Sequence, residues 1–170
     1  MLKIVGLSKT YENGSVALRE VSFSVEQGEF VVVLGKSGSG KSTLMRCINR
    51  LVEPSSGRIF LDGEEVTGAS PKRLRELRKK TGMIFQQYNL IPRYSVQNNA
   101  LMGRLASTAT ISSMMTCFSD EDVERSSQVL NRLGLADKCS HRSEELSGGQ
   151  QQRVGLARAL MQGPELILAD

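Results

Sequence analysis

Residues 30–48 read Phe30-Val31-Val32-Val33-Leu34-Gly35-Lys36-Ser37-Gly38-Ser39-Gly40-Lys41-Ser42-Thr43-Leu44-Met45-Arg46-Cys47-Ile48. An apolar run, a glycine-rich turn and a helical continuation follow one another in the order a phosphate-binding loop requires. Phe30 to Leu34 fits a parallel strand buried on both faces. Gly35 and Gly40 bound the loop, and Gly38 lets the main chain approach an anion with no Cβ in the way. The N–H groups of Gly35, Lys36, Ser37, Gly38, Ser39, Gly40, Lys41, Ser42 and Thr43 can then face phosphate oxygens, and the helix starting near Lys41 adds its positive end. Lys41 brings a full charge to the outer phosphates, and the Ser42 hydroxyl is a ligand for Mg²⁺. The competing reading, a flexible Gly/Ser turn, is opposed by the strand before it and the helix after it.

Composition sets the frame. At 170 residues the chain makes one domain or a little more, and its apolar share is ordinary, so a core can form. The net charge of +4 suits a phosphate ligand or an anionic membrane face and demonstrates neither. No apolar stretch approaches the length of a membrane span, and Met1-Leu2-Lys3-Ile4-Val5-Gly6 lacks a signal-peptide profile. Cys47, Cys117 and Cys139 lie far apart in no metal-ligand spacing, which points to free thiols in a reducing compartment. For Cys47, simple packing as a small apolar residue is the preferred reading.

Outward from the loop, Leu2–Val5, Val16–Leu18 and the alternating Val21–Val25 read as strands, with a turn at Glu12-Asn13-Gly14. The helix from Lys41 is expected to end near Leu51-Val52, before Pro54-Ser55-Ser56-Gly57. Arg58–Leu61 reads as a strand closed by a tight turn at Asp62-Gly63. Pro71–Lys80 reads as a short basic helix with Leu74 and Leu77 inward. Its cations form a solvated face rather than a nucleic-acid patch, because no aromatics interleave them. Gly82–Phe85 is a further strand ending in Gln86-Gln87. Residues 95–118, rich in Ser, Thr, Met and Ala, read as helical with irregular parts. Ser119 is a candidate N-cap with Asp122 completing a capping box, and Gly134 a C′ stop.

Leu146-Ser147-Gly148-Gly149-Gln150 opens a second helix running to Met161. Two glycines and a serine at a helix start make another anion site. Either two anions bind, or one is shared between two copies of the chain. Last, Leu166-Ile167-Leu168-Ala169 is an apolar strand ending in Asp170, a carboxylate able to orient Mg²⁺ beside a phosphate loop.

Phosphate loop, Ser-Gly-Gly-Gln helix start and apolar strand plus Asp, in this order, resemble the ATP-binding subunit of ABC transporters over the whole chain. The resemblance implies an α/β P-loop NTPase, a RecA-like core with an N-terminal antiparallel β part and an inserted helical subdomain. It divides the chain into a core with phosphate loop and glutamine over 1–87, a helical subdomain over 88–155 and a return to the core over 156–170. It further implies that Tyr11 stacks on adenine and that Gln86 reaches Mg²⁺ and the attacking water, giving Lys41, Gln86 and Asp170 as catalytic residues. Ser42, Gln86 and Asp170 become the metal set, with ATP and Mg²⁺ as cofactors. Leu146, Ser147, Gly148, Gly149 and Gln150 match the family signature, which completes the γ-phosphate shell of a second ATPase subunit in a head-to-tail dimer. Membrane permease subunits, and through them a periplasmic binding protein, are the implied partners, with no nucleic acid. The implied place is peripheral, on the cytoplasmic face of a bacterial inner membrane.

The stretches Gln86–Val96 and Asn99–Leu105 are most similar to importers of small nutrients, phosphonate above all, with phosphate, polar amino acid and methionine importers as alternatives. In the family a water-polarising Glu follows the Asp, and a crossing loop and a γ-phosphate His come later. None lies within these 170 residues, and His141 precedes the signature. The core is therefore expected to be incomplete at the C-terminus, and hydrolysis by these residues alone to be impaired. A hydrolysis-deficient binding fragment is one alternative. A nucleotide-gated DNA-maintenance protein is another, opposed by the lack of heptads over 88–146.

Overall fold

The structure, a computed structural model, describes residues 1–106 and 118–170. Cys117 and residues 107–116 of the Ser/Thr/Met-rich segment lie outside the described residues. The chain divides into two compact units, Met1–Arg78 with Asp170, and Lys79–Ala169.

The first unit is built on an antiparallel sheet of order β2-β1-β3-β4, with β1 at Leu2–Thr10, β2 at Val16–Val25, β3 at Ser56–Leu61 and β4 at Glu64–Glu65. β1 is longer than Leu2–Val5, and the two expected pieces between Val16 and Val25 form one strand. Leu2 sits between Val25 and Leu61 across the ladders, and Ile4 opposite Ile59. These residues alternate with exposed ones and bury one face. Asp62 and Gly63 both take positive φ, 50° and 79°, the backbone of a type I′ hairpin turn.

Helix α1 spans Lys41–Ile48 and buries Leu44, Cys47 and Ile48. It ends earlier than Leu51-Val52. Arg78, from the end of helix α2 (Pro71–Lys79), donates to the Asn49 and Arg50 carbonyls at 3.0 and 2.7 Å. A guanidinium there satisfies orphan carbonyls and opposes the negative end of the helix. Arg73 pairs with Glu64, so two cations of the basic helix serve the fold. Leu77 is buried, as the helical spacing requires. Burial pushes the Cys47 thiol up to about 11, which fits a packing role.

One expectation is corrected here. Phe30–Leu34 is not a strand: it joins neither sheet, and Phe30 and Leu34 are 90% and 88% exposed. A strand's main-chain hydrogen bonds come from its neighbours, and among the described residues no strand pairs with this run. Apolar composition by itself could not supply that partner.

In the second unit, β5 (Thr81–Ile84) pairs in parallel with β6 (Leu166–Ala169), Thr81 opposite Leu166 and Ile84 opposite Ala169. Helices α3 (Val96–Leu101), α4 (Asp120–Arg132) and α5 (Gly148–Met161) enclose a core of Val96, Ala100, Leu101, Leu130, Leu135, Leu146, Val154, Ala157 and Met161. Met102–Arg104 continues α3 as a 3₁₀ turn. Asn99 is fully buried; it accepts from the Ile91 N–H and donates to the Ser143 hydroxyl at 2.8 Å. It thereby ties the segment before α3 to the segment before α5.

Ser119 caps α4 by accepting from the Asp122 N–H, and Gly134 takes φ 67° just past the helix. The expected capping box is only half formed. The Asp122 carboxylate turns instead to Arg104 at 2.7 Å, since a charged donor holds a carboxylate more strongly than a neutral N–H does. Among the described residues no helix is long and apolar enough to cross a membrane.

Candidate nucleotide-binding site

The loop from Gly35 to Gly40 is exposed and ends at Gly40, the N-cap of α1, with φ 91°. A Cβ at Gly40 would run into the Ala17 carbonyl, so that position needs glycine for both conformation and space. Gly38 also takes positive φ, 78°. Ser39 N–H donates to the Lys36 carbonyl at 3.2 Å and closes the turn.

Lys41 reaches back across this turn. Its Nζ donates to the Gly35 and Lys36 carbonyls at 2.7 and 2.8 Å, with the Ser39 hydroxyl at 3.4 Å. An ammonium has three donors. Two are firmly committed to the loop, and the third makes only a long contact that a phosphate oxygen can replace. The lysine is thus both the brace of the loop and its charge.

Ser42, the next residue, donates from Oγ to Asp170 Oδ1 at 2.6 Å, across 128 positions of sequence. A hydroxyl and a carboxylate are the hard oxygen donors Mg²⁺ prefers. Among the described residues no group of three His, Cys, Asp or Glu could hold a metal by itself. A cation at Ser42 and Asp170 would complete its shell with further oxygens, as Mg²⁺ does when it binds together with substrate phosphates. The two residues fit that ion.

Tyr11 lies at the turn between β1 and β2, with its ring partly exposed. Its hydroxyl is 3.1 Å from the Thr43 Oγ1 on α1. Lys9 Nζ stands 5.3 Å from the ring centroid and donates to the Glu53 carbonyl at 2.8 Å. Tyr11 is therefore fixed at its hydroxyl end and covered on one side by a cation. Sequence reading did not find Lys9; two residues before the tyrosine, nothing distinguishes it from any strand lysine.

The remaining site residues lie in the second unit. Gln86 is exposed in the segment that follows β5. Ser147 caps α5: its side chain accepts from the Gln150 N–H, and Gln150 Oε1 accepts from the Ser147 N–H at 2.9 Å. This is a complete capping box, and it engages the Gln150 carboxamide within its own chain. Leu146 is buried behind the cap. Gly148 and Gly149 are exposed, with open space wherever a Cβ would stand. The first N–H groups of α5 are left accessible. Arg158, on the same helix, donates to the Tyr88 and Asn89 carbonyls, both at 2.6 Å, and the sequence does not single it out.

Comparison with known proteins shows the family and the fold. A family model described as "ABC transporter" matches residues 18–170. The chain is 51% identical over its whole length to "Phosphonates import ATP-binding protein PhnC 2" of Halalkalibacterium halodurans, of which it covers 70%. It is 53% identical to "Phosphonates import ATP-binding protein PhnC 1" of Rhodopseudomonas palustris, of which it covers 62%. Among solved structures, the dimeric ATP-binding cassette MJ0796 bound to ADP and Pi superposes with a TM-score of 0.84 at 34% identity. That match covers 100% of this chain and 73% of the other. The cbiO1 protein of Clostridium perfringens gives 0.82 at 29% identity, covering 99% and 64%. The α/β fold is that of these cassettes, and the chain spans 62–70% of the length of the two relatives named.

Proposed function

The chain belongs to the ABC transporter family, and from that premise we propose that it works as the ATP-hydrolysing subunit of a bacterial importer whose solute is a phosphonate. The observation that carries the ATPase reading is the Ser42–Asp170 hydrogen bond at the foot of the lysine-braced loop. The names of the relatives support the choice of solute.

In this reading adenine rests on the exposed face of Tyr11, and the Gly35–Thr43 amides receive the polyphosphate. Lys41 turns its third donor from Ser39 to a phosphate oxygen. Ser42 and Asp170 would hold Mg²⁺, which would offset the charge that builds on the phosphates. Gln86 orients the attacking water. The open start of α5 faces the γ-phosphate bound by a second subunit, so two subunits pair head to tail around two nucleotides. Closure and reopening of that dimer move permease subunits on the cytoplasmic face of the membrane, with a periplasmic binding protein delivering the solute.

The test is growth. Cells in which the intact gene carries Lys41→Ala should lose growth on methylphosphonate as sole phosphorus source and keep growth on inorganic phosphate. Undiminished growth on the phosphonate would overturn the assignment of solute. Loss on phosphate, methionine or a polar amino acid would reassign it.

The dimer has its own test. Gln150→Ala removes half of the capping box and one edge of the shared site. Calorimetry should find Mg-ATP affinity of the monomer within about threefold of the parent, since Gln150 is not part of the Gly35–Thr43 loop that receives the polyphosphate in one chain. Light scattering should find ATP-driven self-association lost. If monomer binding disappears instead, the signature does not act across the dimer.

A further inference from the structure

The turn directly after Gln86 is backbone that L-residues avoid. Tyr88 and Asn89 are consecutive non-glycine residues with φ of 58° and 48°. Each is uphill in the left-handed region, Tyr88 more than Asn89. The turn has two short main-chain hydrogen bonds of its own, Tyr88 N–H to Phe85 O at 2.9 Å and Asn89 N–H to Gln87 O at 2.6 Å. Its outward carbonyls are taken by one side chain. Arg158 Nη2 donates to the Tyr88 carbonyl and Nη1 to the Asn89 carbonyl, both at 2.6 Å.

Three features of α5 serve this contact. Arg158 is half-buried, and its desolvation lowers its pKa from the usual arginine range, so the charge sits among neutral carbonyls at a cost. One turn earlier Gly155 lies beside the same residue: a Cβ there would stand 3.6 Å from the Tyr88 Cβ, in ordinary contact. On the other side, a Cβ on Gly103 would strike the Arg158 carbonyl oxygen, so the main chain at Arg158 is closely backed. A guanidinium fork in a fixed place holds two adjacent carbonyls at once, which a lysine cannot do.

We propose that Arg158 is a positioning residue for Gln86: its grip on the Tyr88 and Asn89 carbonyls locks the left-handed turn that sets where the glutamine stands, and ties that loop to the helix beginning at Ser147. The inference rests on the reading of Gln86 as the residue that orients water. Arg158 itself touches no reacting atom. It acts by keeping a costly backbone state populated, so that a shift of α5 is passed to the turn and through it to Gln86.

The complete gene product carrying Arg158→Lys is compared with the parent in three measurements. Mg-ATP affinity by calorimetry should change less than about threefold, kcat for hydrolysis should fall at least tenfold, and hydrogen exchange at residues 87–90 should rise. Adding Tyr88→Gly should restore most of kcat, because glycine holds positive φ without a clamp. General loss of packing would not be rescued by that change. Should Arg158→Lys fail to fold, Asn89→Val replaces it: residue 89 is exposed, Arg158 stays, and a β-branched residue at positive φ must give the same split between affinity and kcat. Unchanged kcat in Arg158→Lys, or a fall that Tyr88→Gly does not mend, overturns the proposal. Gln86→Ala, measured in parallel, separates the two readings. If it leaves kcat intact the role of Gln86 is wrong, and if it lowers kcat while Arg158→Lys does not, the clamp alone is wrong.

Discussion

Lys41→Ala is expected to weaken Mg-ATP binding at least 100-fold. The substitution removes the two bonds to the Gly35 and Lys36 carbonyls together with the charge. Those carbonyls would then face the incoming polyphosphate with no cation between, so attraction is replaced by repulsion. A hundredfold change corresponds to ~2.7 kcal/mol, within the about 1.5–3 kcal/mol that one charge-assisted hydrogen bond from the ammonium to a phosphate oxygen contributes. The loop is exposed, so the thermal midpoint should move by only a few degrees. Calorimetry with Mg-ATP checks the binding and a melting curve checks the fold. Affinity retained within tenfold in a folded variant would mean that the loop is not the phosphate site.

Gly57→Ala should produce a large loss of stability in the first unit. Gly57 takes φ 91°, and a Cβ there would run into the Gly6 carbonyl and the Leu7 Cα across the β1–β3 ladder. The ladder is irregular at that point, with a register shift between Val5 and Ser8. The left-handed backbone costs an alanine about 1–2 kcal/mol, and forcing two main chains apart adds about 1–3 kcal/mol. Together they remove a large part of the 5–15 kcal/mol typical of a domain. Gly63→Ala is the control: φ is also positive, 79°, but nothing lies within 4 Å of the added carbon. Urea midpoints should fall for both and at least twice as far for Gly57→Ala. Equal shifts would show that conformation alone, and not the close approach of β1, makes glycine necessary at 57.

Much of the site could be read directly. The phosphate loop, the Ser119 and Ser147 caps and the Asp62-Gly63 turn are all patterns whose partners lie within a few residues. Asp122 shows the limit of such reading. Its spacing from Ser119 fits a capping box, but Arg104, 18 residues away, offers a stronger partner. Gly155 shows it from the other side, since nothing around this helix glycine in the sequence tells that it lies against Tyr88.

The sequence by itself determined where a helix starts and where a glycine turn stands, because both are made by hydrogen bonds spanning three or four residues. Only the tertiary structure decided which residues meet there. The Ser42–Asp170 contact, the Tyr11–Thr43 contact and the hold of Arg158 on Tyr88 join positions 128, 32 and 70 residues apart. The same holds for Phe30–Leu34, whose composition is that of a buried strand but which lies exposed, because a strand takes its hydrogen bonds from neighbours that its own residues cannot specify.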